Sequence, residues 1–298
     1  MRIFVTGASG FIGSAVVPEL LAAGHQVLGL ARSDESAAKL SAAGAEVQRG
    51  ALDDLDSLRD AVSSSDGVIH LAFIHDFSNY AASIQADAQA VRVMLDALDG
   101  SGKPFVGTSG TLGLSRGRLA TEDDAPSSQS LRAATEELVI AAAGRGVRSS
   151  VIRLSPTVHG AGDYGFVHTL IDIARRSGMA AYVDGGENRW PAIHRQDAAR
   201  LYRLALERAA PGTRLNGVAE EGIPMRNIAG TIGEGLSLPV RNISGNEAPA
   251  HFTWLSTFVS LDSPASSAIT RETLGWEPKE IGLLEDMQAH YFLSVEPV

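Results

Sequence analysis

Three glycines, Gly7, Gly10 and Gly13, fall in the stretch TGASGFIG, between the β-branched run RIFVT at 2–6 and an alanine- and leucine-rich stretch from residue 11. A missing Cβ at this spacing lets the backbone approach a pyrophosphate, and the N-terminus of the following helix supplies partial positive charge. The pattern predicts a nucleotide-binding turn because it follows a first strand, opens a helix and precedes a second strand at the expected distance. Ser9, Phe11 and Ile12 join the glycines as its expected contacts. The second strand ends at Ala31-Arg32-Ser33. An acidic residue there would accept from a ribose 2′-hydroxyl, whereas Arg32, helped by Ser33, can grip a 2′-phosphate. NADP(H) is therefore the expected cofactor, with NAD(H) as the alternative.

The elements that must position these groups follow a strand–helix rhythm. Strand-like runs at 2–6, 26–31, 46–49, 67–72, 104–108 and 149–154 alternate with helical stretches at 11–23, 34–43, 54–64, 79–99 and 128–144. Such alternation predicts an α/β fold, a doubly wound parallel sheet covered by helices on both faces. After about residue 155 the rhythm breaks into Gly- and Pro-rich connections, with helices expected near 165–177, 196–210, 225–235 and 247–258. Residues 1–155 then form a nucleotide-binding domain and 156–298 a smaller α+β substrate lobe, whose segments can interleave with the first.

Composition narrows the class. The 298 residues, 44% hydrophobic, suffice for one large core or two coupled ones. A net charge of −10 argues against nucleic-acid binding, and the absence of cysteine excludes disulfides and thiolate metal sites. His70/His75 and His159/His168 do not share a helical face with a carboxylate, so no metal is expected. No apolar run reaches the ~18 residues of a membrane span, and the N-terminus lacks the pattern of a cleaved leader. A cytoplasmic protein acting on small molecules, without a membrane or nucleic-acid partner, is expected.

The glycine turn, HLA at 70–72, RLSPTVHGAG at 153–162, AIHRQDAARLYRLAL at 192–206 and SSAITRETLGWEP at 266–278 resemble the extended short-chain dehydrogenase/reductase family, which includes nucleotide-sugar epimerases and dihydroflavonol-type reductases. The resemblance implies a Rossmann-like sheet in which Leu71, Ala72 and Phe73 lie along the cofactor. It also places Thr108 and the backbone at Pro156, Thr157 and Val158 against the cofactor, and pairs the helices at 79–99 and 128–144 across a homodimer axis.

The departures from that family bear on chemistry. Ala51 stands where an adenine-contacting Asp is usual, leaving Leu52 and Asp53 as the nearest candidates, and Asp87 stands where Asn is often found. Members carry Tyr-x-x-x-Lys on the helix at 128–144, the tyrosine exchanging a proton with the substrate oxygen. Here the matching positions are Ser128 and Arg132, and no tyrosine in the chain is followed four residues later by lysine. A serine hydroxyl is a far weaker acid than a phenol of pKa ~10, and a guanidinium holds charge near the ribose without shuttling a proton.

The acid must therefore come from elsewhere. Ser109, with Thr111 in reserve, follows strand five, where the family places a hydroxyl on the substrate carbonyl. Tyr164 and His159 lie after strand six, and Tyr80 and His75 after strand four. Phe73, Phe77 and Trp190 are candidate walls of an apolar pocket. The expected function is reduction of a carbonyl or conjugated carbonyl by NADPH with a non-standard proton donor. The alternatives are a non-catalytic NADP(H) sensor and a nucleotide-sugar epimerase or dehydratase.

Overall fold

The computed structural model describes residues 1–74, 79–114, 117–126 and 132–292. The first half runs β1 (Arg2–Thr6), α1 (Gly13–Ala22), β2 (Gln26–Ala31), α2 (Asp34–Ala42), β3 (Glu46–Arg49), α3 (Leu55–Ser63), β4 (Gly67–His70), α4 (Tyr80–Ala97), β5 (Pro104–Gly110), α5 (Ala133–Ala141) and β6 (Arg148–Leu154). The second half runs β7 (Thr157–His159), α6 (Phe166–Ser177), β8 (Ala180–Val183), β9 (Arg189–His194), α7 (Arg195–Arg208), β10 (Thr213–Gly217), β11 (Glu220–Pro224), α8 (Met225–Leu236) and β12 (Val240–Ile243). The short helices α9 (Ala248–Phe252), α10 (Ser256–Val259), α11 (Ala268–Leu274) and α12 (Leu283–His290) follow.

Seven strands form one parallel sheet in the order β3-β2-β1-β4-β5-β6-β10. Its central strands are buried on both faces, which is why Ile3, Phe4 and Val5, or Val68 and Ile69, read as unbroken apolar runs rather than alternating ones. Leu20, Leu201 and Tyr202 cover one face, and Leu58, Met94 and Val139 the other. The order reverses between β1 and β4, and the crevice beyond the C-terminal ends of those strands is where a doubly wound sheet receives its ligand.

The chain does not divide at residue 155 in a single cut. Residues 195–217 return to the first half: α7 packs on α1, and β10 adds the seventh strand beside β6. The remaining lobe holds the three-stranded sheet β7-β9-β11, the pair β8-β12 and a separate apolar cluster around Ile171, Trp190, Ile228 and Phe252. Among the described residues no helix is long and apolar enough to cross a membrane, and no group of three His, Asp or Glu is placed to hold a metal.

Candidate active site

The glycine turn follows β1 and packs on the backbone leaving β4. Gly7 has φ +67°, and a Cβ on it would stand 2.7 Å from the amide nitrogen of Ala72. A Cβ on Gly13 would overlap the carbonyl oxygen of Gly7. Both glycines are thus required by the close approach of backbone to backbone, while Gly10 closes the turn by donating to the Gly7 carbonyl at 3.0 Å. The next amide, Phe11 N–H, donates to Tyr164 Oη at 3.3 Å. Tyr164 is 64% exposed, so this amide at the entrance to α1 is met by a surface phenol rather than by a buried group. Arg195 lies over the other side of the arrangement, 5.1 Å from the Phe11 ring centre.

At the far end of β2, Ser33 caps α2 by accepting from the Ser36 amide at 3.2 Å, and Arg32 is exposed. Arg49, at the end of β3, donates to the Ser33 carbonyl at 2.7 Å and pairs with Asp34. Two guanidiniums therefore flank the N-terminus of α2, the second of which sequence reading missed because β3 lies next to β2 only in space. Leu52 is packed into the core beneath this end, and Asp53 is exposed at the approach to α3.

The opposite end of the crevice is built from side chains. Thr6 Oγ1 accepts from Ala72 N–H at 3.2 Å and lies 2.7 Å from His70 Nδ1, while His70 Nε2 lies 3.1 Å from Asp87 Oδ1. A carboxylate can only accept, so His70 donates to Asp87 through Nε2–H, and in the neutral ring Nδ1 then accepts from the Thr6 hydroxyl. Asp87, 1% exposed, faces Arg132 Nη2 at 3.9 Å. Arg132 Nη2 in turn donates to the Thr108 carbonyl at 2.9 Å, and its guanidinium lies 4.4 Å from the centre of the Phe73 ring. Among the described residues, Arg132 Nε and Asp87 Oδ2 are buried without a hydrogen-bond partner. Each side chain uses only part of its bonding capacity here, Asp87 through Oδ1 and Arg132 through Nη2. The charge that Asp87 brings to this region is thus met by Arg132 rather than left open.

The residues expected to act on the substrate are not brought together. Thr108 donates its only hydroxyl proton to the His70 carbonyl at 2.6 Å and accepts from Tyr202 Oη at 2.8 Å, so it has no proton left to donate to a cofactor. Burial pushes the Tyr202 phenol well above its ordinary range. Because side chains alternate along β5, Ser109 points the other way, beside Glu136. Burial opposes ionisation of Glu136, but Arg153, with Ser109 and Arg214, outweighs it and holds the carboxyl below the ordinary glutamate range. Ser109 therefore belongs to a buried ionic cluster that anchors α5. Thr111 is 0% exposed, its hydroxyl within 3.4 Å of the Leu154 carbonyl.

His159 is sealed between Asp286, 2.8 Å from its Nδ1, and the His194 ring. Thr157 spends its hydroxyl on the Pro191 carbonyl at 2.6 Å, Val158 packs against the main core, and Pro156 precedes them, partly exposed. Of the acid candidates Ser109, Thr111, Tyr164 and His159, only Tyr164 is exposed, and it lies against the glycine turn. Trp190 is core, its ring 5.7 Å from that of Phe166 and tilted 46° to it. Ser128, His75 and Phe77 lie outside the described residues.

Comparison with known proteins agrees with this architecture. Residues 3–216 match the model of the NAD dependent epimerase/dehydratase family. An uncharacterized protein of Saccharomyces cerevisiae is 48% identical over 298 residues, covering 99% of this chain and 100% of its own. The 4-hydroxy-2-methyl-3-oxo-4-farnesyl-3,4-dihydroquinoline-1-oxide ketoreductase of Stigmatella aurantiaca is 30% identical over 71% of this chain and 66% of its own. Among solved structures, UDP-glucose 4-epimerase of Thermus thermophilus in complex with NAD superposes with a TM-score of 0.76, covering 99% of this chain and 100% of that one at 21% identity, which shows a shared fold. The chain belongs to the NAD dependent epimerase/dehydratase family and is an NAD(P)-dependent oxidoreductase of the short-chain dehydrogenase/reductase type.

Proposed function

We propose that this protein reduces the carbonyl group of a small molecule with NADPH. The observation that carries the reading is the placement of Arg132: its Nη2 donates to the Thr108 carbonyl at the end of β5 and its guanidinium lies over the Phe73 ring, next in sequence to Ala72, on which Gly7 packs. Gly7, Gly10, Phe11, Ile12 and Gly13 would hold the diphosphate through backbone groups, with Ser9 at the rim. Leu71, Ala72 and Phe73 would wall the nicotinamide half, and Arg132 would hold its ribose. Arg32 would take a 2′-phosphate, and Arg49 supports it by offsetting Asp34. Bound there, a reduced nicotinamide supplies hydride, and the protein's part is to position the carbonyl and deliver a proton. The ketoreductase relative supports a carbonyl as substrate. The active form would be a homodimer joined through α4 and α5, which light scattering checks by giving the mass of two chains rather than one.

Incubating the protein with NADPH and a panel of ketones, aldehydes and conjugated carbonyls, and following loss of reduced-nicotinamide absorbance, tests the reading. At least one class should drive NADPH consumption. Tight NADPH binding without consumption across the panel would instead favour a protein that senses the dinucleotide.

A further inference from the structure

The packing of α4 against α5 brings a phenol within electrostatic reach of Arg132 and Asp87. Tyr80 is the first residue of α4. Its ring meets Phe73 edge-on, with 5.8 Å between centroids and 64° between planes, and Arg132 lies over the same Phe73 ring. Tyr80 and Arg132 thus share one aromatic wall beside Asp87 and the end of β5. Resting on the reductase reading above, we propose that Tyr80, with Arg132, takes the part of a Tyr-x-x-x-Lys pair and that the Tyr80 phenol protonates the substrate oxygen.

In the balanced step the carbonyl carbon accepts hydride from a reduced nicotinamide dinucleotide. The C–O π pair becomes a new O–H bond using the Tyr80 proton, and the Tyr80 O–H bond breaks to leave a phenolate. Arg132 offsets that charge and water returns the proton, so the products are an alcohol and the oxidised dinucleotide. The groups facing the phenol act in opposite directions. Burial raises its pKa above the ordinary value, Arg132 draws it down, and Asp87, backed by His70 on β4, pushes it up. Removing Arg132 should make Tyr80 a poorer acid and removing the charge of Asp87 a better one.

Two measurements test this together. The first is turnover and NADPH affinity of Tyr80→Phe, whose kcat should fall by about 100-fold or more while NADPH affinity stays within about twofold. The second needs neither cofactor nor substrate: ultraviolet difference titration against Tyr80→Phe should show the phenol moving to higher pH in Arg132→Gln and to lower pH in Asp87→Asn. Wild-type turnover with an unimpaired Tyr80→Phe, or a phenol titration unmoved by either charge change, overturns the assignment of Tyr80 alone. A wild type that reduces no carbonyl overturns the reductase reading and the proposal with it.

Discussion

The two ends of the crevice are made by different means. At the glycine turn the groups proposed to hold a diphosphate are backbone amides, and the sequence need only supply glycines where a Cβ would collide. At the proposed reacting end they are side chains from β1, β4, α4 and the N-terminal cap of α5, none adjacent in sequence. A backbone-built site can be altered only by breaking its turn. A side-chain-built site can be rebuilt from a neighbouring helix, provided charge and reach are kept, and Arg132, Asp87 and Tyr80 are the groups proposed to act in place of Tyr-x-x-x-Lys.

If α5 is held by its buried ionic cluster, Glu136→Ala should show the largest effect. It leaves Arg153, which is 0% exposed, without its carboxylate partner, and should lower unfolding stability by about 3–5 kcal/mol in denaturant titration. An unchanged midpoint would mean that α5 is anchored otherwise. Gly13→Ala attacks the other end, where the added methyl meets the Gly7 carbonyl. A cost of about 1–3 kcal/mol, with NADPH binding weakened, is expected by calorimetry.

Arg132→Ala should weaken NADPH binding by about 1.5–3 kcal/mol, and Arg32→Ala should reduce the preference for NADPH over NADH while leaving NADH affinity near its starting value. Equal affinities for the two dinucleotides in the unmutated protein would remove the role given to Arg32. The smallest effect concerns the back wall of the lobe. Burial, followed by the neighbouring His159, lowers the His194 pKa against the opposing pull of Asp286, Glu280 and Asp197. A histidine whose folded pKa is depressed contributes stability that is full above its unfolded pKa of about 6.5 and lost as the pH falls below it. His194→Gln should flatten the fall of melting temperature in that acid window.

What the sequence disclosed follows the same division. The glycine turn, the strand–helix rhythm and the ends of α1, α2, α3 and α6 were legible because each depends on residues close in the chain. Alternation along β5 was legible in principle, yet which face of that strand meets α7 and which meets α5 depends on where those helices pack. For that reason Ser109 looks like a substrate ligand in sequence and is a partner of Glu136 in space. The return of residues 195–217 to the first half carries no local signal beyond an ordinary helix and strand, since pairing with β6 is a long-range event. The approach of Tyr80 to Arg132 is likewise set by helix packing and not by spacing.

On the proposed function, this fold carries hydride to a carbonyl although the N-terminal cap of α5 offers a guanidinium in place of the usual pair. The most direct measurement is mass spectrometry of the product formed with NADPH deuterated on the transferring face of nicotinamide C4. The account predicts an alcohol carrying one deuterium on the former carbonyl carbon, formed in the unmutated protein and strongly diminished in Arg132→Ala at saturating NADPH. Product without deuterium, or undiminished transfer in Arg132→Ala, would contradict it.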